Sequence, residues 1–247
     1  MTRTRLESVD LAAAWDEHAA KFVAWARRPE HDSCWHFHRD AFLEVVPRSG
    51  RRTLDLGCGE GRLSRDLKAL GHDVVGVDRS PTMLAAGRAA DAEIETHLAD
   101  AASLPFADRS FDLVVAFMSL QDIDDFEGAI REAGRVLEPG GKFCMAIVHP
   151  LSSAGRFVAD DADSPFTISG SYLDPFHYAD DLLRDGLELT LVSAHRPLQA
   201  YAEAVANAGL LIELLREPPV PDHALRKPNA KRWQRLPLFL HLRAVKR

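Results

Sequence analysis

The feature that most constrains the fold of this chain is the alternation of strand-like and helix-like segments between Arg52 and Val148. Short apolar runs such as LDL, VVGV and FDLVVAF alternate with helical patterns such as GRLSRDLKAL, TMLAAGRAA and DDFEGAIREAGRVL. Strands that alternate with helices in this way form a parallel sheet with right-handed crossovers. The segment therefore predicts a doubly wound α/β core, in which Pro139-Gly140-Gly141 ends the last helix before a fifth strand, KFCMAIV.

The alternation lapses after Val148 and resumes after Arg196. PLQAYAEAVANAG then predicts a helix, and LLIELLRE and LFLHLRAVKR predict two further strands. A long Pro-containing loop with no helical pattern joins these two strands, so we expect them to be antiparallel. The whole pattern predicts a mostly parallel seven-stranded sheet with an antiparallel last strand.

We predict a single domain over residues 1–247. Residues 11–46 carry aromatic and alanine residues in a helical rhythm broken at Pro29, which indicates two helices, and LELTLVSAH within the later insert indicates an edge strand. The expected parts are an N-terminal helical cap, the sheet core, a lid inserted after strand five, and a C-terminal helix with the last two strands: residues 1–50, 51–148, 149–196 and 197–247.

Composition and charge exclude several classes of protein. The formal net charge of −7 disfavours binding to nucleic acid or to an anionic membrane, which both reward basic surfaces. The chain has no apolar run of bilayer length, and its N-terminus lacks the apolar core of a signal peptide, so we expect a cytoplasmic protein. Cys34, Cys58 and Cys144 form no C-x-x-C pair and indicate reduced thiols rather than a zinc site.

Three alternating glycines, Gly57, Gly59 and Gly61, follow the first strand in LDLGCGEGR. Bare backbone N–H groups at the start of a helix can bind an anionic group, although glycine turns after strands are often only structural. The G-x-G-x-G spacing differs from the G-x-G-x-x-G of dinucleotide folds, and no Lys-Ser/Thr pair follows as in a P-loop.

Two aspartates follow the next strands. Asp78 ends the second strand, where a carboxylate can bind both hydroxyls of a ribose; Ser80 is the better candidate for capping the next helix. Asp100, in LADAASLPF, can accept a hydrogen bond from an exocyclic amine such as that of adenine, or is an ordinary loop aspartate. Since open α/β sheets bind ligands at the carboxyl ends of their strands, the three features together predict one ligand site.

Four segments of the chain, taken together, resemble the successive motifs of class I S-adenosylmethionine-dependent methyltransferases. They are LDLGCGEGR, GVDRSPTML, ADAASLPFADRSFDLVV and RVLEPGGKF. The resemblance runs from about Thr53 to Val148 and resumes in the last two strands. It implies a Rossmann-like fold closed by an antiparallel seventh strand, S-adenosylmethionine as the cofactor and S-adenosylhomocysteine as its product.

The resemblance also implies roles for individual residues. Asp55, Gly57, Cys58 and Gly59 would line the methionine moiety. Asp78 would hold the ribose, with Arg79 and Met83 beside the adenine. Asp100 and Ala101 would recognise the adenine edge, and the backbone at Phe117 and Met118 would face the methionine amino group.

Methyl transfer from a sulfonium needs alignment, and a base if the nucleophile carries a proton. His149, after strand five, and His195, before the next helix, are the candidate bases. Either could instead be structural: His149 bonded to backbone at the strand end, His195 anchoring the lid.

The cap and the lid supply the candidate acceptor pocket. Its predicted residues are Trp15, Gln121, Tyr172, His177 and Tyr178, although the aromatic residues could belong to the core and His177 to a solvated loop. Asp122, Asp124 and Asp125 could ligate a hard cation, but capping of the following helix explains them more simply, and we predict no metal site.

The first functional hypothesis is methyl transfer to an O, N or C nucleophile of a small molecule, in bacterial natural-product or other secondary metabolism. A second is methylation of RNA or protein, with Lys231, Arg232 and Arg235 of the basic C-terminal segment as a docking patch. A third is a cofactor-binding protein without transferase activity. The sequence leaves the oligomeric state open between monomer and homodimer.

Overall fold

The computed structural model describes residues 2–28, 31, 33–50, 52–226 and 228–247. The strands are β1 (Thr2–Leu6), β2 (Thr53–Leu56), β3 (Val74–Asp78), β4 (Glu95–Leu98), β5 (Phe111–Phe117), β6 (Leu137–Val148), β7 (Gly155–Phe157), β8 (Phe166–Ile168), β9 (Phe176–Arg184), β10 (Leu187–His195), β11 (Leu210–Arg216) and β12 (Phe239–Lys246). The α-helices are α1 (Leu11–Ala26), α2 (Ser33–Leu43), α3 (Arg62–Ala69), α4 (Pro81–Ala90), α5 (Phe126–Val136), α6 (Pro150–Ala154) and α7 (Leu198–Asn207).

Seven strands form the central sheet in the order β11-β12-β6-β5-β2-β3-β4. β2 pairs in parallel with β3 on one side and with β5 on the other, so the strand order reverses between β2 and β5. β12 is antiparallel to both β6 and β11. The predicted fold class is confirmed, and the crevice outside the carboxyl ends of β2 and β5 is where such a sheet binds its ligand.

Helices cover both faces of the sheet. The larger core cluster includes residues of α5 and α7, among them Phe126, Ile130 and Tyr201, packed with the apolar side chains of the strands. A second cluster places Phe42 of α2 and Leu67 of α3 among a different set of sheet residues. The two buried faces explain why the core strands are continuous apolar runs.

One helix boundary differs from the prediction. α5 ends at Val136, and β6 begins at Leu137, before the Pro-Gly-Gly sequence. Leu137 is fully buried and pairs with Phe111 of β5. Pairing with the neighbouring strand therefore ends this helix earlier than the Pro-Gly signal does.

The N-terminal segment and the insert form one structural unit that the sequence did not predict. β1 pairs with β9, and β9 pairs with β10, in an antiparallel three-stranded sheet. α1 packs on this sheet, where its Leu11 contacts Ala179, Val192 and Ala194. The two predicted N-terminal helices are present, but they diverge: α1 lies on the inserted sheet and α2 on the core. Pro29, the predicted break, lies outside the described residues.

The predicted edge strand in the insert is β10 at Leu187–His195, which lies at one edge of the three-stranded sheet. Within the described part of the chain, no helix is both long and apolar enough to cross a membrane.

Candidate active site

A cavity of about 370 Å³ lies at the carboxyl ends of the central strands, with α1 forming part of its wall. Its lining comes from the glycine turn, the end of β3, the loop after β4, the end of β5 and the segment that follows. All eleven residues that the resemblance assigns to the cofactor line this one cavity: Asp55, Gly57, Cys58, Gly59, Asp78, Arg79, Met83, Asp100, Ala101, Phe117 and Met118.

The three glycines of the turn all have positive φ angles, at +73°, +57° and +76° for Gly57, Gly59 and Gly61. A Cβ atom on Gly57 would lie 2.4 Å from the Cβ of Ser119, whereas a Cβ on Gly59 would meet no atom within 4 Å. Gly57 is therefore required by packing within the protein. Gly59 leaves open space at the cavity, which is the arrangement a closely bound ligand needs.

Asp78 is held by the same turn. Its Oδ2 accepts a hydrogen bond from the backbone N of Gly59 at 2.7 Å, and its Oδ1 accepts from the N of Ser80 at 2.8 Å. Burial raises the pKa of the Asp78 carboxyl, although these backbone bonds oppose the shift. Ser80 caps α4 by accepting from Met83 N, so Asp78 is not the cap and remains available to a ligand.

Asp55 lies under the turn as a fully buried carboxyl. Ser64 Oγ donates to its Oδ2 at 2.6 Å. Burial is the main cause that raises the pKa of Asp55 to about 7, and the nearby Asp78 charge adds to the shift. A cationic ligand in the cavity would favour the ionised form.

The adenine end of the predicted site is more open. Asp100 Oδ1 accepts from the backbone N of Ala102 at 2.9 Å, and Asp100 Oδ2 lies 3.7 Å from Arg79 Nη1. Both of these side chains are substantially exposed, while Met83 and Ala101 are buried beside them.

At the end of β5 the backbone makes a tight corner. Met118 has a φ of +57°, a conformation that a non-glycine residue adopts at some energetic cost. The corner places Ser119 against Gly57, with Ser119 Oγ donating to Leu56 O at 2.7 Å. The two cavity-lining turns, after β2 and after β5, are thereby locked together.

The two predicted bases lie outside this cavity. His149 Nδ1 accepts from Leu151 N at 3.0 Å, and its Nε2 lies 2.9 Å from Glu217. Burial lowers its pKa, mainly by desolvation. His149 thus caps the short helix α6, which is the structural alternative considered for it.

His195 is fully buried, and both of its ring nitrogens are occupied. Nδ1 lies 2.7 Å from Ser153 Oγ, and Nε2 lies 2.9 Å from Tyr172 O. Desolvation lowers the pKa of His195 as well. Its ring stacks on Phe176, so it anchors the insert at a distance from the cavity.

Of the predicted acceptor-pocket residues, Trp15 alone is in the cavity wall, with its Nε1 donating to Val192 O at 3.0 Å. Gln121 is buried behind that wall and donates to Met118 O and to Asp122. Tyr172 accepts from Leu198 N through its hydroxyl, and Tyr178 is buried beneath Arg3 in the inserted sheet. His177 lies on β9 opposite Leu6 and Ala194.

Glu60 and Asp122 were not predicted as site residues, but both line the cavity. Glu60 is 2% exposed and accepts from Arg27 of the α1 C-terminus and from Arg65 of α3. Asp122 was considered only as a cation ligand or helix cap, yet it lines the cavity and binds Ser193. Apart from being acidic, neither residue carries a distinctive sequence signal.

The neighbouring aspartates behave as helix-capping residues. Asp125 caps α5 by accepting from Gly128 N at 2.8 Å, and Asp124 Oδ1 accepts from Leu11 N at 3.3 Å. Across the described ranges of the chain, no group of three or more His, Cys, Asp or Glu side chains is arranged to hold a metal ion.

The predicted basic docking patch is partly occupied within the protein. Arg232 donates to Ala159 O and pairs with Asp160, and Arg235 donates to Ala162 O and Ser164 O. These two arginines fasten the segment before β12 to the insert, while Lys231 is exposed.

A doubly wound sheet with its cavity at the strand-order reversal, between a glycine turn and two strand-end aspartates, defines the chain as an α/β protein built to hold a nucleoside-type ligand. Residues 54–145 match the family model of the Methyltransferase domain. The central sheet has the Rossmann-like topology of class I S-adenosylmethionine-dependent methyltransferases, and the sequence resemblance is confirmed.

Individual relatives of the chain are methyltransferases as well. The chain is 39% identical over 110 residues to the demethylmenaquinone methyltransferase of Renibacterium salmoninarum, covering 44% of this chain and 46% of that protein. The chain is also 44% identical over 124 residues to the enzyme of the same name from Thermus thermophilus, and this match covers 48% of the present chain and 54% of that protein. The chain thus aligns with about half the length of the curated relatives it matches.

Solved structures extend the match to most of the fold. The crystal structure of an S-adenosylmethionine-dependent methyltransferase from Mesorhizobium loti superposes with a TM-score of 0.69 at 28% identity. This match covers 85% of the present chain and 97% of the other.

Proposed function

We propose that this protein transfers the methyl group of S-adenosylmethionine to a small molecule bound beneath α1 and the inserted sheet. The observation that carries the proposal is the convergence of eleven residues, drawn from four separate strand ends, on one cavity. The cofactor is bound with its methionine part over Gly57 and Gly59, its ribose at Asp78 and its adenine beside Asp100.

The enclosure of the cavity favours a small acceptor. Ala12, Trp15 and Phe22 of α1 form part of the cavity wall, and the cavity volume is in the range of pockets for small ligands. The relatives named for demethylmenaquinone support an aromatic or quinol-like acceptor. The internal bonds of Arg232 and Arg235 weigh against a macromolecular substrate docked on the C-terminal segment.

The cofactor assignment is tested by calorimetric titration with S-adenosylmethionine. We expect wild-type protein to bind it and Gly59→Ala to bind at least about tenfold more weakly, because the added methyl group enters the space assigned to the ligand. Left-handed backbone costs a non-glycine residue about 1–2 kcal/mol, so the control must carry the same strain.

Gly209→Ala is that control. Gly209 has a φ of +73°, and a Cβ there likewise meets no atom within 4 Å. Gly209→Ala is expected to match Gly59→Ala in stability and wild type in cofactor affinity. Equal affinity in all three proteins would refute the placement of the cofactor on the turn. Transfer of labelled methyl to demethylmenaquinol, or to a bacterial metabolite extract, then tests the activity itself.

A further inference from the structure

Among the ionisable groups on the cavity wall that have no part in the cofactor assignment, Asp122 lies nearest to where the proposed acceptor would bind. Asp122 ends the short 3-10 turn Leu120–Asp122 after β5 and lines the cavity beside Ile123 and Trp15. It lies where three regions meet: the core strand end, the helix α1, and the inserted strand β10. The acceptor, as proposed above, binds at this junction.

The Asp122 carboxylate is held in place by two hydrogen bonds. Ser193 Oγ donates to Oδ1 at 2.6 Å, and Gln121 Nε2 donates to Oδ2 at 3.0 Å. A carboxylate has about four lone-pair positions, so positions remain for a ligand group in the cavity.

We propose that Asp122 is the general base of the methyl transfer, a role that rests on the function proposed above. The acceptor's lone pair forms a bond to the methyl carbon, and the C–S bond breaks with its electrons going to sulfur. The proton of the acceptor O–H, N–H or C–H passes to the Asp122 carboxylate and leaves to solvent after product release. S-adenosylhomocysteine is left as a neutral thioether.

The electrostatic setting suits this role. Burial raises the pKa of Asp122 to about 7, against the opposing effects of Ser193, Gln121, Arg196 and Trp15. A base with a pKa near the working pH is both ionised and able to take a proton. The Tyr178 phenol also faces this site from β9, and burial keeps it protonated by raising its pKa.

The other acidic groups of the cavity are committed elsewhere. Asp78 and Asp100 are assigned to the cofactor, and Asp55 lies beneath the glycine turn with Ser64. Glu60 accepts from Arg27 and Arg65. Asp124 and Asp125 bind the N-terminal ends of α1 and α5. Arg196 holds the Asp122 segment by donating to Leu120 O and Ile123 O, which fixes the position of the base.

The test compares Asp122→Asn with Asp10→Asn. Asp10 is the exposed N-cap of α1, where it accepts from Ala13 N at 2.9 Å outside the cavity lining, and asparagine there removes the same charge and keeps an effective helix cap. Labelled S-adenosylmethionine supplies the methyl group, and demethylmenaquinol and a bacterial metabolite extract are the acceptor probes. We expect Asp122→Asn to lower kcat by about 10²–10⁴-fold. Its cofactor Kd should stay within about threefold of wild type, and Asp10→Asn should retain kcat within about threefold.

The pH profile separates a base from a merely structural residue. Wild-type kcat should rise through a pKa near 7 and then level, because the base must be ionised, and this limb should be absent in Asp122→Asn. Transfer by Asp122→Asn within threefold of wild type would overturn the assignment while leaving the proposed function intact. A wild-type protein that binds cofactor but labels neither probe would overturn the proposed function, and the assignment with it.

Discussion

The two halves of the cavity are built in different ways. The half assigned above to the cofactor, called the cofactor half, consists of short turns at the ends of adjacent strands, in which Gly59 and Asp78 are joined by a 2.7 Å hydrogen bond. The half assigned to the acceptor, called the acceptor half, is lined by α1 and the segment after β5. The inserted sheet supports it from behind through the bonds of Trp15 to Val192 and of Asp122 to Ser193. The first half depends on local sequence, the second on contacts between distant segments.

The largest effect is expected in the cofactor half, from Gly57→Ala. The new Cβ would lie 2.4 Å from the Cβ of Ser119, at a φ of +73°. Strain and overpacking together should lower the free energy of unfolding by about 2–5 kcal/mol, measured by urea denaturation. Cofactor binding should be lost with it.

A second substitution separates the two causes. Ser119→Gly removes the clash but also the hydrogen bond to Leu56 O, so Ser119→Gly alone is the reference. Adding Gly57→Ala to it should lower the free energy of unfolding by only the backbone strain, about 1–2 kcal/mol. If Gly57→Ala lowered the free energy of unfolding equally with and without Ser119→Gly, the contact between the two turns would not be what requires glycine.

This contrast explains how much the sequence could predict. The glycines and Asp78 could be assigned because each lies at the end of a strand recognisable from its own apolar residues, whereas Asp100 was assigned from its motif, LADAASLPF. β1 was missed because TRTRL has only one apolar residue, and it is a strand only through its pairing with β9. Asp122 could not be distinguished from Asp124 and Asp125, since its burial depends on Ser193, far along the chain.

His149 and His195 illustrate the same limit. Both were predicted as bases because a histidine at a strand end can face a ligand. Their ring nitrogens are instead bonded to Glu217 and Leu151, and to Ser153 and Tyr172. Which way a side chain points at a strand end is decided by the segments packed around it, and here those segments belong to the insert.

A smaller effect is expected where the N-terminal strand β1 contacts the insert. Arg3 donates to both oxygens of Asp180 at 2.9 and 2.7 Å and to the carbonyl of Ser152. Both charged side chains are largely buried. Arg3→Met should therefore lower the free energy of unfolding by about 2–4 kcal/mol, somewhat less than the loss of one partner from a fully buried ion pair. Amide hydrogen exchange should speed up in β9 and β10 but not in β2 and β5.

Arg5→Met is the matched control for Arg3→Met. Arg5 is on the same strand, and its exposed guanidinium lies 4.3 Å from the ring centre of Phe176. Arg5→Met should lower the free energy of unfolding by about 1 kcal/mol or less. Equal effects of the two substitutions, or faster exchange throughout the central sheet, would show that the inserted sheet is not a separately opening unit.

The smallest effect concerns α2, which joins the N-terminal segment to the core. His38 Nδ1 of α2 lies 2.9 Å from His241 Nε2 of β12, and the His38 ring stacks on Phe117 at the cavity wall. Burial lowers the pKa of His241 to about 4 and that of His38 well below its usual value. Protons therefore bind the unfolded chain first, and stability is lost as the pH falls from about 6.5 towards 4.

For His241 alone, this loss is about 2 kcal/mol between neutral pH and pH 5. Replacing both histidines by leucine should remove that part of the pH dependence, measured by urea unfolding at pH 7.5 and 5.0. The raised pKa values of Asp55 and Asp122 act in the opposite direction, because they favour the folded state as the pH falls, and both groups are present in wild type and in the double variant. The double variant lacks the two buried histidines and should therefore lose less stability than wild type on acidification. An equal loss in the two proteins would show that the contact between α2 and β12 does not set the acid response.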